Sequence, residues 1–152
     1  MLGKQLTQAA AGSAAGEGLY VDDLFSTYLW EGNNTNRTIT NDIDLAGEGG
    51  LVWIKNRTGA YWNVWFDTER GGGQISSNQS DAELASSSNV AGYVSAYNSD
   101  GFSVSAGNSS SLSVNASGSN YASWTFRKAP GFFDVVTYTG DDAASRSVAH
   151  NL

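Results

Sequence analysis

Two acidic residues set two apart, Asp67 and Glu69, are where this sequence comes nearest to chemistry. Hydrolysis of a glycosidic bond uses two carboxyl groups flanking the sugar, and on a strand the period of two points residues i and i+2 to one face. Yet Arg70-Gly71-Gly72-Gly73 follows, so the Glu-x-Asp-x-x-Glu run of laminarinase-like enzymes is missing. Arg70 and Arg57 instead offer these acids an ordinary ion pair at a sheet edge. The sole histidine, His150, has no nucleophile beside it, which leaves triad chemistry unsupported. Asp22-Asp23 and Asp141-Asp142 lack the spaced ligands of a calcium loop. With no cysteine, thiolate metal sites and disulfides are excluded. The expectation is a protein without catalytic residues, bound metal or cofactor.

Aromatic residues are the stronger lead. Tyr61, Trp62, Trp65 and Tyr93 could stack on sugar rings or bury at a protein contact, because aromatics are large, amphipathic and enriched in both settings. Most of the 5 Trp must nevertheless serve the core of so small a domain. The 8 Lys and Arg are scattered singly against 15 Asp and Glu, a net charge of −7 that repels a phosphate backbone, so no nucleic-acid partner is expected. No apolar run approaches bilayer length and residues 1–18 have no continuous apolar stretch of a secretory signal, so no membrane partner is expected either.

The elements that would position these residues are strands. Tyr28 and Trp30 alternate with Leu29, and after the turn at Gly32 a partner strand is expected near Arg37 to Ile43. Leu51-Val52-Trp53-Ile54 reads as a strand buried on both faces, and Trp62, Val64 and Phe66 alternate with Asn63, Trp65 and Asp67, which puts Trp65 on the more exposed side. Residues 71–91 form a long polar loop. Tyr93 to Tyr97, a turn at Asn98 to Gly101, and Phe102 and Val104 resume the pattern, with Leu112 and Val114 expected as a further hairpin strand. Tyr121 to Lys128 is the last strand, with Ala122, Trp124 and Phe126 inward, and Pro130 ends it. About ten short strands predict an all-β fold, an antiparallel jelly-roll-like sandwich of the concanavalin or lectin kind with an extended N-terminal arm. The expected divisions are a flexible arm over 1–18, the sandwich over 19–130, and a hairpin over 131–152.

That last segment repeats an earlier one. Phe25, Tyr28, Trp30 and Gly32 are matched 108 positions later by Phe133, Val136, Tyr138 and Gly140, and Arg37, Ile39 and Ile43 are matched 109 later by Arg146, Val148 and Leu152. Residues 131–152 therefore read as the opening hairpin of a second unit, with the natural chain continuing, or as the closing hairpin of the first.

Gly50-Leu-Val-Trp-Ile-Lys-Asn-Arg57, Phe66-Asp-Thr-Glu-Arg-Gly71, Tyr97-Asn-Ser-Asp-Gly-Phe-Ser-Val104 and Tyr121-Ala-Ser-Trp-Thr-Phe-Arg-Lys-Ala-Pro130, in this order, resemble a β-sandwich domain of tail-fibre and other virion structural proteins of tailed phages, marine ones above all. The resemblance implies a virion structural protein assembled in the host cytoplasm, the amino-terminal part of a tail fibre or similar appendage. Its arm, with Leu2, Lys4, Leu6, Leu19 and Tyr20, would dock on other tail or capsid proteins, and its oligomer would be a trimer. Tyr61-Trp62-Asn63-Val64-Trp65 is more aromatic than the family suggests, so no surface role of Trp65 carries over from it. The alternative is a carbohydrate-recognition module holding a host surface glycan with loop 74–90 and the aromatics at 61–65.

Overall fold

The computed structural model describes residues 18–85, 90–107 and 112–152. Of the expected attachment arm, Leu2, Lys4 and Leu6 lie outside the described residues. Leu19 is exposed, and Tyr20 is partly covered, directly before a single helical turn, α1 (Val21–Leu24). The chain then runs through β1 (Phe25–Glu31), β2 (Arg37–Thr40), a second short turn α2 (Leu45–Glu48), β3 (Gly50–Asn56), β4 (Asn63–Asp67), β5 (Ile75–Ser76), β6 (Tyr93–Asn98), β7 (Gly101–Ser105) and β8 (Asn120–Arg127). Among the described residues, eight strands thus stand where about ten were expected.

They form two antiparallel sheets packed face to face, one ordered β1-β8-β3-β4-β5 and the other β2-β7-β6. The inner faces follow the period-two rule. Trp30, Val52, Ile54, Val64, Phe66 and Tyr121 from the larger sheet meet Ile39, Val94, Phe102 and Val104 from the smaller one. Each aliphatic or aromatic side chain so buried contributes about 1.5–3 kcal/mol. Trp30 sits at the centre, stacked on Tyr121 at 5.3 Å and edge-on to Phe102 across the sandwich at 6.5 Å. The fold is therefore the expected all-β sandwich.

Several local expectations are corrected. The β1 to β2 passage is a crossing between sheets, not a hairpin: β1 pairs with β8, whereas β2 pairs with β7. What bends the chain there is contact with residues 115–119. Gly32 N–H donates to the Ser119 carbonyl at 2.8 Å, and a Cβ on Gly32 would stand 2.1 Å from the Ala116 carbonyl oxygen. Leu112 and Val114 lie in turns and make no strand; Val114 is instead a core plug whose carbonyl accepts from the Trp30 indole at 3.2 Å. Strand β3 buries one face only, since Leu51 and Trp53 are half-covered. Trp62 precedes β4 and is exposed, so it does not share the inward side of Val64 and Phe66.

Strand β8 is turned the other way from its expected orientation. Tyr121, Ser123 and Thr125 face the core, and Ala122, Trp124 and Phe126 face outward. The reason is polar pairing inside: the Asn41 amide donates to Thr125 Oγ1 at 2.8 Å, and the Tyr121 hydroxyl accepts from Asn56 and Ala116. Residues 131–152 make no strand ladder; Phe133 forms an isolated bridge with Ala129, and Gly131 N–H donates to the Asn151 carbonyl at 3.1 Å.

Candidate functional site

The four aromatics expected at a contact do not converge. Tyr61 and Trp62, in the loop between β3 and β4, line a pocket of about 240 Å³ with Ala60, Ala91, Leu112 and Ser113. That loop is tied down by Lys55 Nζ, which donates to the Tyr61 carbonyl at 3.1 Å, and by Asn63 N–H, which donates to Asn78 Oδ1 at 2.9 Å. Tyr93 is partly buried and packs against the core. Only Trp65 lies on the outer face of the five-stranded sheet, as its parity in β4 required.

Around Trp65 is an aromatic surface that sequence reasoning missed. Registers place Trp53 of β3 between Trp65 of β4 and Trp124 of β8. The rings touch, Trp53 edge-on to Trp65 at 6.1 Å and tilted on Trp124 at 5.0 Å. Phe126 continues the surface, contacting Phe25 at 5.0 Å and stacking on Phe133 at 5.2 Å. The signal was present: Trp53 and Trp65 share outward parity with Leu51 and Asn63, but placing Trp124 and Phe126 inward broke the stripe. Over this face lies an open groove of about 820 Å³, walled by Phe133 to Tyr138 on one side and by Ile75 and Glu83 on the other.

The charges bordering the groove are mostly spent on one another. Asp67 is buried at the end of β4; its Oδ1 accepts from the Arg70 backbone N–H at 2.9 Å and its Oδ2 accepts from Arg70 Nε at 2.6 Å and from Nη2. Glu69 has left the strand and pairs with Lys128 at 2.7 Å, so the two acids do not form the facing pair that hydrolysis would use. Lys128 also reaches Asp134 at 3.4 Å, and these partners, the hydrogen bond to Glu69 first, hold its ammonium above the ordinary lysine value. Asp134 is held below the ordinary carboxylate range, chiefly because it accepts from the Asn151 backbone N–H. Burial, then the nearby Asp67 charge, raises the Tyr97 hydroxyl well above its usual range.

Asp22 and Asp23 occupy the first turn of α1, and Asp141 pairs with Arg146, which lowers its pKa. Among the described residues no cluster of three or more His, Asp or Glu could hold a metal ion. No helix there is long and apolar enough to cross a membrane. What the arrangement offers is contact: an aromatic floor, an apolar wall, and a rim where Glu69 is neutralised by Lys128 and Glu83 adds a carboxylate.

Residues 21–152 match a family model described as a domain of unknown function (DUF7483). No curated protein and no solved structure matches the chain.

Proposed function

The chain belongs to the DUF7483 family of domains of unknown function; from the resemblance carried by its sequence and from its aromatic outer face, we propose that it is a structural module of a tailed-phage virion, the amino-terminal part of a tail fibre or similar appendage that works by contact and not by catalysis. The stretches that carry the resemblance are the frame of the fold. Gly50 to Arg57 covers β3, Phe66 to Gly71 the end of β4 and its turn, Tyr97 to Val104 the β6–β7 hairpin, and Tyr121 to Pro130 the whole body of β8. The observation that carries the reading furthest is the outer face of Trp53, Trp65, Trp124 and Phe126. Contiguous aromatic surface on a small domain is the kind that buries when subunits meet. In a fibre the partner would be another copy, three around an axis, or a neighbouring tail protein, with residues 1–18 docking on the particle.

Antibodies raised against the purified chain test this directly. They are expected to decorate appendages of intact purified particles. Detection of the protein only in the soluble fraction of infected cells, never in particles, would sink the reading.

A second reading is favoured by the groove. Its 820 Å³ suits a short saccharide, with Trp53 and Trp65 as stacking platforms and Glu83 as an acceptor for hydroxyls. Glycan-array binding lost on Trp65→Ala but kept on Trp62→Ala would support a host glycan held on the outer face. Loss on Trp62→Ala alone would move it to the end pocket.

A further inference from the structure

The repeat in the sequence survives in the structure in one respect and fails in another, and the contrast identifies what residues 133–152 are built to meet. Backbone geometry at the turn is kept. Asn34 and Asp142, 108 positions apart, both hold φ at +58°, a left-handed conformation uncommon outside glycine. In each copy an arginine reaches back over that turn. Arg37 donates to the Glu31 carbonyl at 2.8 Å, and Arg146 pairs with Asp141 and lies 5.5 Å from the centre of the Tyr138 ring.

The surroundings are what differ. Trp30, Ile39 and Ile43 are 5%, 1% and 0% exposed, whereas their counterparts Tyr138, Val148 and Leu152 are 65%, 38% and 61% exposed. Tyr28 packs on the core, whereas its counterpart Val136 is exposed. A Cβ on Gly32 would strike the Ala116 carbonyl, yet one on its counterpart Gly140 would meet nothing within 4 Å. Residues 133–139, rich in β-branched and aromatic types, carry no ladder. The second copy touches β8 through Phe133 on Phe126 at 5.2 Å, but no strand pairs along it as β8 pairs along β1, and nothing seats on Gly140 as the turn at 115–119 seats on Gly32.

We propose that residues 133–152 are the β1–β2 portion of a second β-unit of this same fold, and that their partner is the rest of such a unit: a strand patterned like β8, aromatic and small residues alternating, together with an Asn-containing turn that seats on Gly140. Units joined this way share a continuous chain, and the segment that walls the outer groove of one unit is an edge strand of the next. The inference stands on the repeat and on these exposures, and it holds whether or not the units belong to a virion.

The test extends the full chain. Because Leu152 is the counterpart of Ile43, a second copy of residues 44–130 is appended directly after Leu152. Hydrogen exchange is expected to show the amides of 136–139 and 147–150, labile in the original chain, becoming protected at least 100-fold, with the appended strands protected alongside. A control tandem carrying residues 25–43 in place of 133–152 sets the level that a genuine first pair gives. An appended segment that stays labile overturns the proposal. Gly140→Val supplies an independent arm: no change in melting temperature in the original chain, and loss of protection throughout the appended unit in the tandem. Equal tolerance of Gly140→Val in both proteins also overturns it.

Discussion

Two buried tyrosine hydroxyls give a paired test of what holds this sandwich together. The Tyr121 hydroxyl uses its full capacity: it accepts from Ala116 N–H at 2.9 Å and Asn56 Nδ2 at 3.2 Å, and donates to the Leu112 carbonyl at 3.1 Å. Tyr121→Phe keeps the ring on Trp30 and removes only the oxygen. Asn56 still reaches the Leu112 carbonyl, at 3.3 Å, so the main loss is the Ala116 N–H left without its acceptor. A buried donor stranded in this way costs about 1–3 kcal/mol. Tyr97 is the opposite case, because its hydroxyl is buried with no hydrogen-bond partner among the described residues. Tyr97→Phe removes a group whose desolvation is uncompensated, so stability is expected to stay level or to rise by about 1 kcal/mol. Urea unfolding followed by tryptophan fluorescence reads both. With m values of about 1–3 kcal/mol/M, a loss of 2 kcal/mol lowers the midpoint by roughly 1 M. A Tyr121→Phe loss below about 0.5 kcal/mol, or equal losses in the two variants, refutes the assignment of satisfied and unsatisfied hydroxyls.

Other outcomes follow from the same contacts. Gly32→Ala places a methyl against the Ala116 backbone, which must shift, so a loss of about 1–3 kcal/mol is expected in the same unfolding assay. Asp67→Ala leaves the Arg70 guanidinium, 10% exposed, without its carboxylate, and a loss of about 3–5 kcal/mol is expected by calorimetry, most of it recovered in Asp67→Ala with Arg70→Met. For the C-terminal segment the sign is set by Asp134. Its folded pKa lies below the ordinary 3.8, so the attachment of Asn151 is complete above that value and is lost as pH falls through the lower folded value. Hydrogen exchange of the Asn151 amide should therefore lose protection only in strong acid, and loss beginning near neutrality would contradict it.

Much of the body was legible because alternation and burial agree there. Trp30 with Tyr28, Val64 with Phe66, and Phe102 with Val104 all put their larger apolar side chains inward, as a half-buried strand requires. Strand β8 was misread because both of its faces carry aromatic residues, Tyr121 on one and Trp124 with Phe126 on the other. Apolar content then favours the wrong face. The deciding terms were polar and remote in sequence, Asn41 donating to Thr125 across 84 positions and Asn56 donating to Tyr121 across 65. With β8 reversed, the outer stripe of Trp53, Trp65 and Trp124 is split in the sequence pattern, and Tyr61, Trp62 and Tyr93 stand out instead although they sit elsewhere.

The two copies of the Gly-turn-Arg segment separate what a sequence encodes locally from what it borrows. Turn geometry is set within a few residues by Asn or Asp side chains that tolerate a left-handed backbone, so Asn34 and Asp142 adopt the same φ in opposite environments. Strand structure is not local, since a lone β-segment leaves its backbone groups unpaired and its apolar face wet until another strand arrives. The first copy has β8 along one edge and the three-stranded sheet beneath it, and becomes a strand. The second has neither and stays irregular, although its Val135-Val136-Thr137-Tyr138 run is made of strand-favouring residues, as is its counterpart Thr27-Tyr28-Leu29-Trp30. Propensity is therefore not what the second copy lacks. Its exposed Val136, Tyr138, Val148 and Leu152 mark the surface that a following unit would cover.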